Sequence, residues 1–435
     1  MSLTARFSCL NDHDPDALSV SQARAFIRRQ LAPVRTHERL ALRSALGRVL
    51  ASDVIAPFNV PAHDNSAMDG YALRHADLSG SGETRLRVAG TALAGKAYSG
   101  SIGAGECVRI MTGALPPAGS DTVVIQELVR VDGEQVIVPA GQRVGQNIRR
   151  AGEDLAAGKP ALTAGRLIRP AELGLMASLG CAEVSVVRRL RVAFFSTGDE
   201  LCSIGTPLAD GEVYDSNRYT LFGMLARLGC DILDLGVVRD QPAILEAAFR
   251  EAAAAADVVI TSGGVSVGEA DFVKPLMAQL GEVLFWKIAM KPGRPMAFGR
   301  IAGRGAGGSA GEEGEPADAA WLFGLPGNPV AVMVTFQQFV RDALYVLMGA
   351  DPLPVVPLLP AVSTVAMKKA PGRSEFQRGV LAYADGQWRV RPTGAQGSGV
   401  LRSMSDANCF IVLEHDRGQV AVGDLVQVQL FDGLA

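Results

Sequence analysis

Four short segments of this sequence place charged, hydroxyl and glycine residues where apolar runs end or amphipathic runs begin. Ser196-Thr-Gly-Asp199-Glu200 ends the run that starts at Arg191, and Ser262-Gly263-Gly264-Val-Ser266-Val-Gly-Glu-Ala-Asp271 follows the run 257–261. Asp215-Ser-Asn217 opens one amphipathic segment, and Gly324-Leu-Pro326-Gly-Asn328-Pro329 leads into another. A cationic set, Lys287, Lys291 and Arg294, follows a further run that contains Trp286. A glycine- and serine-rich loop between a strand and a helix lets consecutive N–H groups converge on an anion, with hydroxyls adding contacts. Lysine and arginine suit phosphate or another oxyanion such as molybdate or sulfate. Carboxylates suit Mg²⁺ bridging phosphate oxygens. Each segment also has a plainer reading: glycine for turn geometry, Asp215 as a helix cap, charges as solvated surface. Their joint placement favours a site.

Other patterns compete less well. Gly264-Val-Ser266-Val-Gly268 fits a nucleophile elbow after a strand, but His415 is the single later histidine and lies in a separate tail. Gly303-Arg-Gly305-Ala-Gly-Gly308 fits a dinucleotide fingerprint but opens no helix, and Gly158-Lys159-Pro160 ends in proline where a phosphate-binding loop needs Ser or Thr. The six cysteines are scattered, with no metal-ligand spacing, which reads as reduced thiols in a cytoplasmic protein. Polar loops at His63–Tyr71, Arg109–Gly113 and Asn147–Asp154 read locally as turns.

The elements that must position these groups follow from periodicity. Short apolar runs alternate with amphipathic runs from Arg191 to Met348, which predicts a parallel, doubly wound sheet. In such a sheet the strand ends that bind ligands share one edge, so the segments above converge. Residues 19–50 read as helical: Ser19 or Ser21 caps a first helix, Pro33 stops it, and a second runs from Leu40 to Leu50. Residues 57–149 hold short β runs between Gly, Pro and Asp turns, and Pro170–Gly180 reads as a helix. The proline-rich stretch after Asp351 opens a β-rich tail, a small barrel or sandwich. The low-complexity segment 302–319, rich in Gly, Ala and acid, reads as a surface loop.

Composition bounds the possibilities. The chain has 435 residues, 42 basic and 45 acidic side chains and a net charge of −3, with 48% hydrophobic residues. That length suggests roughly three domains. The charge balance speaks against a general nucleic-acid binder, and the absence of about 20 uninterrupted apolar residues speaks against a membrane span. The first residues, Met1 to Asn11, carry no apolar stretch of a secretory signal.

Nine segments occur together in one order: DNSAMDGYA, RIMTGA, GQNIRRAGED, FSTGDEL, SGGVSVGEAD, KPGRP, GLPGNPV, PGRSEFQRG and GAQGSG. The set resembles the molybdopterin molybdenumtransferase family, the MoeA proteins and the gephyrin E domain, from about Ser19 to Asp432. The resemblance implies a multidomain α/β plus β fold. Its parts are a discontinuous mixed α/β linker domain (15–57 and 150–188), a β-rich domain (58–149), a doubly wound molybdopterin-binding domain (189–349) and a C-terminal small β-barrel (350–435).

It implies a transferase of molybdenum cofactor biosynthesis. Such an enzyme cleaves adenylylated molybdopterin with molybdate and Mg²⁺ and works as a homodimer, its cleft combining the α/β domain with the partner's β-domain. A molybdopterin adenylyltransferase is the implied upstream partner.

By motif, Asp64, Thr112, Arg149 and Asp154 match functional positions of the β-domain side. Glu200, Asp240 and Asp271 match acids of the α/β side, and Lys287 with Lys291 a basic pair. Pro326 and Pro329 match prolines, and Arg373 and Ser398 tail positions. On this basis Asp240 and Asp271 are expected to position Mg²⁺, and Glu200 to orient or activate an oxygen nucleophile. Lys287, Lys291 and Arg294 are expected to hold the oxyanion, with Ser262, Gly263, Gly264, Ser266 and Asn328 beside it. Arg294 stands where many relatives carry lysine, which keeps the charge and changes its geometry. A non-catalytic scaffold on the same fold, and an acyl hydrolase using Ser266, are the rival readings.

Overall fold

The computed structural model describes residues 18–264, 273–302 and 319–431. The chain forms two compact units: one of Met1–Ala51, Gly165–Arg169 and Val184–Ala435, the other of Ser52–Ala164 and Pro170–Glu183.

The first unit is built on a six-stranded sheet. Its strands are β1 (Arg191–Thr197), β2 (Asp231–Val238), β3 (Val258–Ser262), β4 (Gly281–Lys287), β5 (Pro295–Ala302) and β6 (Ala319–Leu325), in the spatial order β2-β1-β3-β6-β5-β4. Helices α1 (Ser216–Arg227), α2 (Pro242–Ala255), α3 (Val273–Leu280) and α4 (Pro329–Leu347) cover both faces.

Strand alternation sorts the core into two layers. Val192 and Phe194 of β1 pack with Val258 and Ile260 of β3 and with Leu221, Met224 and Leu225 of α1. Ala193 and Phe195 face the other way, onto Leu245, Phe249 and Ala252 of α2 and Leu276, Met277 and Leu280 of α3. Helix α4 is long and apolar enough to cross a membrane, but it is mostly buried and belongs to the first of these layers. It carries a π-helical turn at Phe336–Val340.

The sheet is mixed rather than wholly parallel. β1, β2, β3 and β6 are parallel, while β5 runs antiparallel to both β6 and β4. The connection 288–294 is too short for a crossover helix, which parallel pairing of β4 and β5 requires. Because Lys287 pairs with Pro295, that connection still lies at the edge where β1, β3 and β6 end. The core of the 302–319 insertion lies outside the described residues, but Ala302 pairs with Ala319, so its base is a closed hairpin.

The N-terminal helix forms as expected, over Val20–Gln30, with Ser19 as cap in a reciprocal box with Gln22. The expected helix over Leu40–Leu50 does not form. His37–Ala41 is a strand paired with Glu183–Val187, a 3₁₀ turn follows, and Val49 and Leu50 bridge to Leu167 and Val186. Val49 and Leu50 are buried there, so distant pairing outweighs local helical spacing.

The tail closes as a five-stranded barrel. Ser374–Ala384, Gln387–Pro392, Leu358–Ser363, Leu425–Leu430 and Cys409–Leu413 pair in turn, and the last returns to the first. The second unit holds a six-stranded sheet, with Gly70–Leu73, Glu106–Ile110 and Thr84–Ala92 at its centre. It also holds the helix Pro170–Ser178.

Asp257 anchors the start of β1 and β3. Its carboxylate accepts both Arg188 terminal nitrogens at 2.7 Å and the Arg191 N–H at 2.9 Å. Burial alone would raise this carboxyl, but the guanidinium and the N–H outweigh it and hold the group below its usual value. A depressed carboxylate contributes stability above its unfolded pKa and loses it as pH falls through the folded value. Asp257→Asn is expected to cost about 2 kcal/mol in urea unfolding at neutral pH. The difference from wild type should shrink below about pH 4; a constant difference down to pH 2 would contradict the pairing.

Candidate functional site

The carboxyl ends of β1, β3 and β6 meet at Gly263. Its N–H donates to the Leu325 carbonyl at 3.1 Å, and a Cβ there would sit 2.4 Å from the Thr197 carbonyl oxygen. With φ at +95°, this position accepts only glycine without strain. Asn217, in the first turn of α1, ties two neighbouring loops together. Its amide donates to the Ser262 hydroxyl at 2.7 Å and to the Gly327 carbonyl at 2.6 Å.

Above this edge opens a cleft of about 1160 Å³, lined by both the sheet loops and the barrel. Its acids come from one end of the strand order. Asp199 and Glu200 follow β1, and Asp240 follows β2. The Thr197 hydroxyl donates to Asp240 at 2.5 Å, and the Asp240 N–H donates to Asp199 at 3.3 Å. Glu200 folds back over Gly198, where a Cβ would lie 2.6 Å from its carboxylate.

The cations come from the other end, in the β4–β5 connection. Lys291 and Arg294 line the cleft there, and the Arg294 carbonyl accepts from the Ile288 N–H at 2.7 Å. Gly293 lets this connection lie against α4: a Cβ would meet the Thr335 hydroxyl at 2.4 Å. Met290–Lys291 pairs with Ser374–Glu375, which docks the connection onto the barrel. The barrel adds Arg373, held 3.0 Å from the buried Glu375, and the loop Gln396–Ser398. The Ser398 carbonyl accepts from Val330 N–H at 3.0 Å, joining that loop to the start of α4. Such a cleft can hold a polyanion at one end and a cation-bridged phosphate at the other.

The structure therefore brings Glu200, Asp240, Ser262, Gly263, Gly264, Lys291, Arg294, Pro326, Asn328, Arg373 and Ser398 to one cleft. Lys287 is exposed on β4 and is not among the lining residues; strand alternation buries Trp286 instead. Pro329 starts α4 next to Asn328, just behind the lining. Ser266 and Asp271 lie outside the described residues. Sequence reasoning placed Thr197, Asp199 and Asn217 in segments expected to converge on the site, with a cap as the plainer reading of the Asp215–Asn217 run, and gave neither them nor Gln396 a role of its own. Gln396 lies in the GAQGSG segment, but its hydrogen bonds to the Arg378 main chain depend on barrel closure.

Asp64, Thr112, Arg149 and Asp154 belong to the second unit, where three loops are knitted together. Asn65–Ser66 pairs with Ile148–Arg149, and the Gly113 N–H donates to the Ser66 carbonyl at 2.8 Å. Asp64 accepts from the Ala151 N–H at 2.8 Å and from Arg150 at 2.6 Å; these two bonds, the N–H first, hold its carboxyl below the usual value. Thr112 donates its N–H and hydroxyl to Asp69, which lowers that carboxyl likewise. Arg149 pairs with Glu153 at 3.3 Å, and the Asp154 N–H donates to the Val60 carbonyl at 3.0 Å.

Comparison with known proteins covers both units. Residues 18–180 match the MoeA N-terminal region (domain I and II), residues 193–345 a probable molybdopterin binding domain, and residues 360–431 the MoeA C-terminal region (domain IV). The chain is 44% identical over 419 residues to a molybdopterin molybdenumtransferase of Haemophilus influenzae, covering 96% of this chain and 99% of that one. It is 37% identical to molybdopterin molybdenumtransferase 2 of Mycobacterium tuberculosis, over 89% and 93% of the two chains. Its fold is similar to the crystal structure of the molybdopterin biosynthesis moeA protein of Pyrococcus horikoshii OT3, with a TM-score of 0.77, 26% identity, and coverage of 96% and 100%. With this identity over nearly its full length, the chain belongs to the molybdopterin molybdenumtransferase family.

Proposed function

We propose that this chain acts in molybdenum cofactor biosynthesis by inserting molybdenum from molybdate into adenylylated molybdopterin. The adenylate is cleaved in a Mg²⁺-dependent step and AMP leaves. The observation that carries this reading is the separation of charge in one cleft: Asp199, Glu200 and Asp240 from the β1–β2 end, Lys291, Arg294 and Arg373 from the β4–β5 end and the barrel.

The lining cations bind the tetrahedral oxyanion and stabilise charge on the departing phosphate. Lys287, exposed at the end of β4, is expected to add its charge to this set. The Ser262–Gly264 turn lies between the two ends of the strand order and cradles the substrate's middle portion. Glu200 orients a water for attack on the adenylate phosphorus and accepts its proton as the phosphoanhydride P–O bond breaks and AMP leaves.

The donor set fits Mg²⁺ in kind, since carboxylate oxygens line the acidic end. Asp240, fixed by Thr197, and Asp271 would hold it; when bound, Mg²⁺ neutralises charge on the phosphate oxygens.

The same reading includes a cytoplasmic homodimer supplied by a molybdopterin adenylyltransferase. Asp64, Thr112, Arg149 and Asp154 then carry the roles their motifs imply.

The test incubates the purified protein with adenylylated molybdopterin and Mg²⁺, with and without molybdate. AMP release that depends on molybdate is expected, and no release under any condition sinks the reading. Glu200→Gln and Asp240→Asn are each expected to slow release by about 100-fold. Lys291→Ala is expected to raise the half-saturating molybdate concentration by about tenfold. Near-wild-type values for all three would contradict these roles.

A further inference from the structure

A buried arginine lies behind the barrel loop of the cleft. Arg378 belongs to the strand Ser374–Ala384 and is 1% exposed. Arginine buried to this degree ordinarily faces a carboxylate. Here every partner of the side chain among the described residues is neutral. Its Nε donates to the Ser403 hydroxyl at 3.0 Å, and one terminal nitrogen donates to the Gly397 carbonyl at 2.9 Å and the Ala395 carbonyl at 3.4 Å.

The main chain of Arg378 holds the same loop. Its N–H donates to Gln396 Oε1 at 2.8 Å, and its carbonyl accepts from Gln396 Nε2 at 3.1 Å and from the Thr393 N–H at 3.0 Å. One strand residue thus makes contact at 393, 395, 396 and 397, directly beside Gln396, Gly397 and Ser398 of the cleft lining.

Planarity turns these bonds into a constraint on the loop. In a trans peptide the N–H points opposite to the carbonyl. With the Ala395 and Gly397 carbonyls turned to Arg378, the N–H groups of Gln396 and Ser398 point away from it. Neither has a protein acceptor among the described residues.

We infer that Arg378 is a positioning residue of the cleft, which sets the 395–398 backbone for an anionic ligand and leaves its own charge unneutralised behind that loop. This rests on the reading above, that the cleft takes an oxyanion. Burial pushes the guanidinium down to about 10, so it remains charged at neutral pH. An unneutralised cation in a low-dielectric setting adds to the positive field of Arg373, Lys291 and Arg294. Lysine keeps that charge but cannot reproduce the fork that spans Ser403 and two carbonyls.

The test measures steady-state AMP release against molybdate, and molybdate binding by calorimetry, on the full chain. Arg378→Gln is expected to raise the KM for molybdate by about tenfold while kcat changes less than about twofold. Arg378→Lys is expected to recover part of that loss. A merely structural role would instead lower the active fraction and leave KM alone. Ser403→Ala removes a neutral anchor outside the lining and serves even if Arg378→Gln does not fold; its KM is expected to rise about threefold. Wild-type KM in the folded variants, including Ser403→Ala, overturns the inference. If wild type itself neither binds molybdate nor responds to it, the functional reading fails instead.

Discussion

The approach of β1 and β3 at Gly263 is the constraint from which the cleft follows. With its N–H on Leu325 and its α-carbon against the Thr197 carbonyl, this residue draws three strand ends to one point. Ser262 is thereby set within reach of Asn217, which also holds Gly327. Thr197, fixed from the other side, offers its hydroxyl to Asp240. The parallel register of β1, β3 and β6 is thus converted into the placement of an acid, a hydroxyl and two glycine turns.

A net charge of −3 conceals a strong local separation. The acids enter from β1 and β2, the cations from the β4–β5 connection and the barrel. Like charges gathered at one end repel, and part of the set is fixed by hydrogen bonds and pairing. Asp240 is pinned by a hydroxyl, Arg373 by Glu375 and the Lys291–Arg294 connection by pairing with the barrel. The cost of assembling such a cleft is offset when a ligand of matching charge pattern enters it.

Much of this was readable from residue order, and what was not has physical reasons. The alternation of β-branched and aromatic runs with amphipathic runs places every strand and helix of the six-stranded sheet. Apolar runs do not encode direction, however, so the reversal of β5 was missed; the short 288–294 connection was the available clue. Leu40, Leu46, Val49 and Leu50 mimic a helical stripe, yet pairing to Leu167 and Val186 decides their conformation. Glu200, Lys291 and Arg294 announce themselves by type and position after strands. Lys287 does so as well, and it lies exposed at the end of β4. Arg378 acts through contacts with Ser403 and the 393–397 loop that exist only once distant segments meet, which spacing in a single sequence cannot reveal.

The account depends on one anion being held by cations from two structural sources. Crystals soaked with molybdate, with diffraction data collected at the molybdenum absorption edge, test this most directly. The anomalous peak is predicted within hydrogen-bonding distance of Lys291, Arg294 or Arg373, beside the loop that ends at Ser398. A peak elsewhere on the protein, with none in this cleft at saturating molybdate, would contradict it.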